Sequence, residues 1–322
     1  MYYTQLANSV KKNIKLSIVI PSFNRNDHLK ILLKELSKNK KKNFEIIILH
    51  NNPKQFLDKK FFDKNLKNIN YEYYVTKKKI KATTNVLNSF KFGKARFIYV
   101  IGDSKLPTKN FIDNIEKNLN KYPNVKILFY KNKSKLNKDI IIKNYKDLDN
   151  DKIFLGDFIL IGNFVISRKI TKKFFSIAKK YQPSLVPQLI FFIKSLMHQE
   201  EILLSSKILI RKFLTKSKNI DPDNNLQLID FWVNSPVILR IVGNEKFRSI
   251  ISKKFYEVDD KLLRFCKFLL KKILIEKVDI GEKLDFFKYR FRYSFKYLIE
   301  VLCIYPIKFL NLILRKMRYF KA

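Results

Sequence analysis

Short apolar runs alternate with amphipathic segments from Lys15 to about Tyr130, the order expected of strands and covering helices in a parallel sheet. Leu16 to Ile20 reads as a buried strand. Leu29, Leu32, Leu33 and Leu36 then recur at i, i+3, i+4 and i+7, which predicts a one-faced helix with Asn24 or Asn26 as its cap. Phe44 to Leu49, Tyr71 to Val75, Arg96 to Ile101 and Val125 to Tyr130 predict further strands. Asn85 to Phe92 predicts a helix between the strands at 71–75 and 96–101, and Thr108 is placed to cap a helix presenting Phe111, Ile112, Ile115 and Leu119 on one face.

The pattern changes after Ile140. A polar stretch from Asn144 to Lys152 and an apolar one from Asp157 to Ser167 read as a loop and then a strand. Beyond Ile170 the spacing is mostly helical, with candidate helices near 170–181, 185–198, 225–241, 243–255, 259–277 and 283–318, and no internal repeat. The expected organisation is an α/β domain over residues 1–215 and a helical, basic C-terminal region over 216–322.

Composition narrows the function classes. A chain of 322 residues that is 46% hydrophobic can bury a substantial core. Its net charge of +39 would normally point to a polyanionic partner. Only 11 of the 67 basic residues are Arg, however, and base and bidentate phosphate readers lean on the planar Arg fork. No specific nucleic-acid partner is expected. The excess is spread along the chain, residues 261–322 holding 16 basic and 5 acidic side chains, and the Lys-rich runs Lys38 to Lys42 and Lys77 to Lys81 read as solvated faces. With 6 Gly in the chain there is neither a Walker loop nor a GxGxxG turn, which weighs against kinases and dehydrogenases.

Cys266 and Cys303, far from any His, make neither a disulfide framework nor a metal site. Met1 to Lys15 has no apolar run of signal-peptide length. No stretch reaches the roughly 18 to 20 apolar residues of a membrane span; the nearest, Tyr297 to Leu314, is broken by Glu300, Pro306 and Lys308. A cytoplasmic protein, peripheral on the inner face of the membrane, is expected.

Lys15-Leu-Ser-Ile-Val-Ile-Pro-Ser-Phe-Asn-Arg25 resembles the opening of family 2 glycosyltransferases, in which a strand ends in Pro-Ser/Thr-Tyr/Phe-Asn-Arg before a Leu-rich helix. Phe44-Glu-Ile-Ile-Ile-Leu-His-Asn-Asn52 looks like the family's second strand, and Asn85 like the Asn that precedes its helix leading to the metal-binding strand. Ala95-Arg-Phe-Ile-Tyr-Val-Ile-Gly-Asp-Ser-Lys-Leu-Pro107 resembles the segment ending in the acidic DxD-type motif. Together these pieces cover roughly the first 120 residues.

The resemblance implies a GT-A fold, a Rossmann-like, mostly parallel nucleotide-sugar domain with a helical C-terminal extension here. It further implies inverting transfer of a sugar from a nucleotide-sugar donor to a glycan or lipid-linked acceptor, in surface polysaccharide (capsule or lipopolysaccharide) or oligosaccharide assembly. By the same resemblance Pro21, Ser22, Phe23, Asn24, Arg25, Asn52, Asn85, Asp103 and Lys105 would line the donor site. His50 is a further candidate, to meet the base.

In the family's Gly-Asp-Asp-Asp pattern, strand-end carboxylates hold Mg2+ or Mn2+ against the donor diphosphate. Here Asp103 stands, but Ser104 and Lys105 follow it, and a protonated Lys cannot ligate a cation. Lys105 could therefore replace the metal. Alternatively Asp103 alone could hold it with diphosphate and water, or the chain could be a non-catalytic GT-like module that binds a nucleotide or glycan.

Gly156-Asp-Phe-Ile-Leu-Ile-Gly-Asn-Phe-Val-Ile-Ser-Arg168 looks like the acceptor-side strand of a subgroup building O-antigen-like or capsular glycans, followed by a Pro-containing segment like Leu185-Val-Pro-Gln-Leu-Ile190. Inverting transfer needs a carboxylate to take the acceptor's proton. Asp157 is the first candidate, Glu200 or Glu201 the second. The C-terminal region mixes Phe, Leu, Ile and Tyr with Lys and Arg, as in Phe287 to Tyr297, and a helix of that kind could seat an enzyme on the cytoplasmic leaflet.

Overall fold

The computed structural model of the protein describes residues 2–9, 14–39, 41, 43–54, 56–131, 136–148, 153, 158, 161–182, 188–212, 241–242, 244–247 and 250. The candidate helices at 225–241, 243–255, 259–277 and 283–318 lie almost wholly outside the described residues, as does most of the expected C-terminal region. Among the described residues no helix is long and apolar enough to cross a membrane.

The chain runs β1 (Tyr2–Asn8), β2 (Leu16–Ser22), α1 (Asn26–Ser37), β3 (Phe44–His50), α2 (Lys59–Asn65), β4 (Asn70–Thr76), α3 (Ala82–Phe92) and β5 (Phe97–Val100). It continues through β6 (Lys105–Pro107), α4 (Phe111–Lys121), β7 (Ile127–Tyr130), β8 (Ile140–Ile142), β9 (Phe164–Ser167), α5 (Arg168–Lys180), α6 (Gln188–Met197), β10 (Ile202–Ser205) and β11 (Ile210–Lys212). Nine of these strands make one sheet in the order β1-β4-β3-β2-β5-β9-β7-β10-β8, and β6 pairs with β11 apart from it. β4, β3, β2 and β5 are mutually parallel, β9 runs antiparallel between β5 and β7, and β10 is parallel to β7.

The continuous apolar runs follow from burial on both faces, as in β3, where all seven residues are buried. Side chains alternate across the sheet. Ile18, Ile20, Ile46, Ile48 and Tyr99 pack against Leu29, Leu32, Leu33 and Leu36 of α1, Phe62 of α2 and Phe111 of α4. Val19, Ile47, Leu49, Ile98 and Val100 face α3, α5 and α6 on the other side. There Phe90 of α3 stacks on Phe164 with centroids 5.8 Å apart and meets Phe191 at 5.1 Å.

Several expectations need correction. β1 was not anticipated: it is an edge strand of mixed polarity, antiparallel to β4 and irregular between Thr4 and Leu6, docked through Tyr2 against Phe92. Neither Asn24 nor Asn26 caps α1. The cap residue is Arg25, with no side-chain cap bond, and Asn26 is already helical. Thr108 does not cap α4 either; Asn110 holds that position, and Thr108 instead accepts from the Phe111 N–H through its carbonyl. Among the described residues of the apolar stretch 157–167, Phe164–Ser167 form a strand.

The helix expected at 185–198 is present as α6, while β10, four residues with no alternation, has no strand signal of its own. α6 ends in a Schellman pair, Gln199 N–H to the Leu196 carbonyl and Glu200 N–H to that of Ser195, with Gln199 at φ 54° in the left-handed position usually given to Gly.

Ser17 ties the centre of the sheet together. Its hydroxyl donates to Glu45 Oε1 at 2.5 Å and accepts from the backbone N–H of Lys94 and Ala95. Ser17→Ala would remove the partner of the buried Ala95 N–H and leave Glu45 Oε1 with the Lys94 N–H in place of two donors, a loss of about 1 to 3 kcal/mol in urea unfolding. An unchanged unfolding midpoint would show that water reaches Glu45.

Candidate functional site

The chain steps outward from β2 to β3 to β4 and then returns to the other side of β2 to lay down β5. Right-handed connections therefore place α1 and α2 on one face of the sheet and α3 on the opposite face. The connections leaving β2 and β5 part company at the carboxyl ends of these strands, and open α/β sheets bind ligands in that crevice.

The turns at Pro21–Arg25 and Gly102–Lys105 meet there. The Ser22 hydroxyl donates to Asp103 Oδ2 at 2.9 Å, the Phe23 N–H reaches the same oxygen at 3.4 Å, and Arg25 Nη1 stands 3.4 Å from Oδ1. Asp103 is 4% exposed, whereas the Arg25 side chain is 38% exposed and bridges the buried carboxylate to solvent. Burial raises the Asp103 carboxyl above its ordinary value, and the Arg25 charge and the bonds from Ser22 and Phe23 pull the other way. A Cβ built on Gly102 would meet nothing within 4 Å, so the backbone beside Asp103 borders open space.

The rest of the first turn is fixed from β3. Asn24 lies at φ 51°, a conformation Asn tolerates, and its Oδ1 accepts from Asn52 Nδ2 at 2.5 Å. Asn51, which the sequence did not single out, is a buried clamp. Its Nδ2 donates to the Ile80 carbonyl at 2.7 Å and its Oδ1 accepts from the Ile80 N–H at 2.8 Å. This fastens the loop from β4 to α3 at the carboxyl edge, where Lys77, Lys78, Lys79 and Lys81 are exposed and Lys79 Nζ lies 4.8 Å from the centroid of the Phe23 ring. The run read as a solvated face is thus also held beside the first turn.

Asn85 and His50 are inward-facing. Asn85 donates to the Leu49 carbonyl and accepts from the Tyr2 hydroxyl, which locks α3 to β3 and β1. His50 is fully buried against Tyr73, so the structure gives it a packing role and no exposed surface for a base. Lys105 opens β6 with its N–H on the Gly102 carbonyl at 3.0 Å and pairs in register with Lys212.

The candidate bases fare differently. Glu200 and Glu201 precede β10, whose direction puts them at the amino end of the parallel strands, opposite Asp103. They face Lys173 and Lys143 there. The structure does not bring them to the site. Asp157 lies outside the described residues.

Asn163 carries no local signal in the sequence. It stands where β9 begins, at the carboxyl edge of β5 and β7, and its buried Nδ2 has no hydrogen-bond partner. Gly162, at φ 95°, precedes it and accepts from the Tyr99 hydroxyl. A groove of about 540 Å³ between α1 and α2, lined by Lys30, Lys34, Phe56, Asp58, Lys60 and Lys64, contains none of Ser22, Phe23, Arg25 or Asp103.

The residues around Asp103 do not fit a divalent ion. Both carboxylate oxygens already accept bonds, and an ion on Oδ1 would stand a few ångströms from the guanidinium. Like unit charges about 4 Å apart repel by about 4 kcal/mol at a partly buried site. Among the described residues no three His, Cys, Asp or Glu side chains gather to share such an ion.

No protein-family model and no curated protein sequence matches the chain. Solved structures do match. Residues 1–349 of S. aureus TarS share 14% identity at a TM-score of 0.54, over 75% of this chain and 71% of that one. The same piece in complex with UDP-GlcNAc covers 86% and 79%, at 13% identity and a TM-score of 0.54. The mannosyltransferase PcManGT from Pyrobaculum calidifontis, in complex with GDP-Man and Mn2+, covers 85% and 79%, at 8% identity and a TM-score of 0.52. The fold is GT-A. At these identities the likeness concerns the fold.

The Asp103 environment has a pH signature. An acid with a raised folded pKa takes up a proton on folding between 3.8 and the folded value. Its contribution is full below 3.8 and is lost as pH rises through the folded value. The stability of the wild type relative to Asp103→Asn should therefore fall from acid toward neutral pH in urea titrations. A relative stability that climbs with pH would mean that Arg25 outweighs burial.

Proposed function

We propose that the protein is a glycosyltransferase that moves a sugar from a nucleotide-sugar donor to a glycan or lipid-linked acceptor, inverting the anomeric centre, in surface polysaccharide or oligosaccharide assembly. The observation that carries this reading is the bonded meeting of the Pro21–Arg25 turn with Asp103 at the switch point of a GT-A sheet. Structures with this fold hold UDP-GlcNAc in one case and GDP-Man in another, which supports the donor class.

In this reading Pro21, Phe23, Asn24 and Asn52 border the nucleoside, Ser22 and Asp103 fix the turn that positions it, and Arg25 and Lys105 face the diphosphate. Asn85 acts one step back by holding α3 against β3. Asp157 remains the proposed base. The basic C-terminal region, with its interleaved aromatics, is proposed as a peripheral membrane contact.

One observation favours a second reading, a non-catalytic nucleotide- or glycan-binding module: the carboxylate brought to the site is committed to its own turn. Hydrolysis or transfer of donor separates the two, because the module binds without turnover.

A panel of UDP-, GDP-, dTDP- and CMP-sugars tests the donor class by thermal unfolding. One nucleotide class at a hundredfold its Kd should stabilise the protein by about 2.7 kcal/mol, a shift of several degrees. No shift with any of the four would remove the proposal.

A further inference from the structure

The mismatch between Asp103 and a divalent ion has a counterpart in the cations held at the same edge of the sheet, Arg25 against Asp103 and Lys79 against Phe23. Resting on the reading above, we propose that Arg25, the lysines of the 77–81 loop and Lys105 hold the donor diphosphate in place of a metal, and that donor binding and sugar transfer need no divalent ion.

The cations are built into the site. Arg25 is anchored through Nη1 to a buried carboxylate, which leaves the rest of its fork of donors for a ligand. The lysine loop is anchored by the two bonds from Asn51 to Ile80, so four ammonium groups in five residues are presented at a defined place. None of Lys77, Lys78, Lys79 and Lys81 is seen in an ion pair with an acidic side chain of the described residues, and Lys79 is further located by the Phe23 ring. A diphosphate at this edge would meet positive groups arriving from three separate segments of the chain, the turn after β2, the loop after β4 and the start of β6.

The chemistry balances without another reagent. The bond between the anomeric carbon and the distal phosphate oxygen breaks, and its electron pair leaves with the nucleoside diphosphate. The acceptor oxygen forms the new bond to that carbon, and its proton ends in solvent. The charge that develops on the leaving diphosphate is what Arg25 and the loop lysines stabilise, the electrostatic part a bridging metal would otherwise play.

Calorimetric titration of the full chain with UDP and with GDP, in excess EDTA and again with Mg2+ or Mn2+, reads this directly. For whichever nucleotide binds, the expected Kd differs by less than about twofold between the two conditions. Lys78→Ala and Lys79→Ala, both exposed and safe for folding, each weaken binding about two- to fivefold and flatten its salt dependence. Arg25→Gln weakens it about tenfold or more. Lys172→Ala, an exposed lysine of α5 near the amino end of the sheet, leaves Kd unchanged. Binding that appears only with metal, or loop variants that bind as the wild type does, overturns this inference while the glycosyltransferase reading stands. Failure of both nucleotides to bind under any condition, together with no thermal shift from any of the four nucleotide-sugar classes, removes both.

Discussion

The structure around the site depends on one buried carboxylate. Asp103 leaves the end of β5 and is met by a hydroxyl, a backbone N–H and a guanidinium from the turn that leaves β2. An ionised carboxylate at this depth carries a desolvation cost that only several donors can offset. Supplying three of them from one five-residue turn fixes the turn as a consequence. The two walls of the switch-point crevice are thereby tied to each other at their base, with open space beside Gly102 above.

That arrangement also redefines the acidic motif. A carboxylate that serves a metal turns an open oxygen toward it, whereas here the oxygen not bonded to Ser22 and Phe23 faces the Arg25 guanidinium, and Lys stands two residues on. Positive charge is then concentrated by the fold rather than imported. Most of the lysine surplus is uninformative taken residue by residue, because exposed lysines recur on many of the described elements. The run at 77–81 differs only because buried Asn51 fixes where it sits.

The central strands and their helices were legible because burial on both faces leaves continuous apolar runs, and one-sided helices leave the 3.6 repeat, as in β3 and α1. Elements with weaker signals were not. β1 is an edge strand of mixed polarity, β8 and β11 span three residues each, and the turn into β10 uses Gln199 where a Gly would have marked it. The first turn and Asp103 were readable through their resemblance to a known family. Arg25's partner, the clamp by Asn51 and the unpaired Asn163 amide depend on pairings between segments far apart in the chain, which no local spacing records. Sequence proximity also misled at Glu200 and Glu201, since strand direction, invisible locally, sends them to the far end of the sheet.

The central claim is that the 21–25 turn, the 77–81 loop and the 102–105 turn form one nucleotide cradle. Hydrogen–deuterium exchange of the full chain with and without a saturating nucleotide sugar tests it most directly. The account predicts slowed exchange in those three segments together. Protection centred instead on the α1–α2 groove, or on residues 198–205, would contradict it.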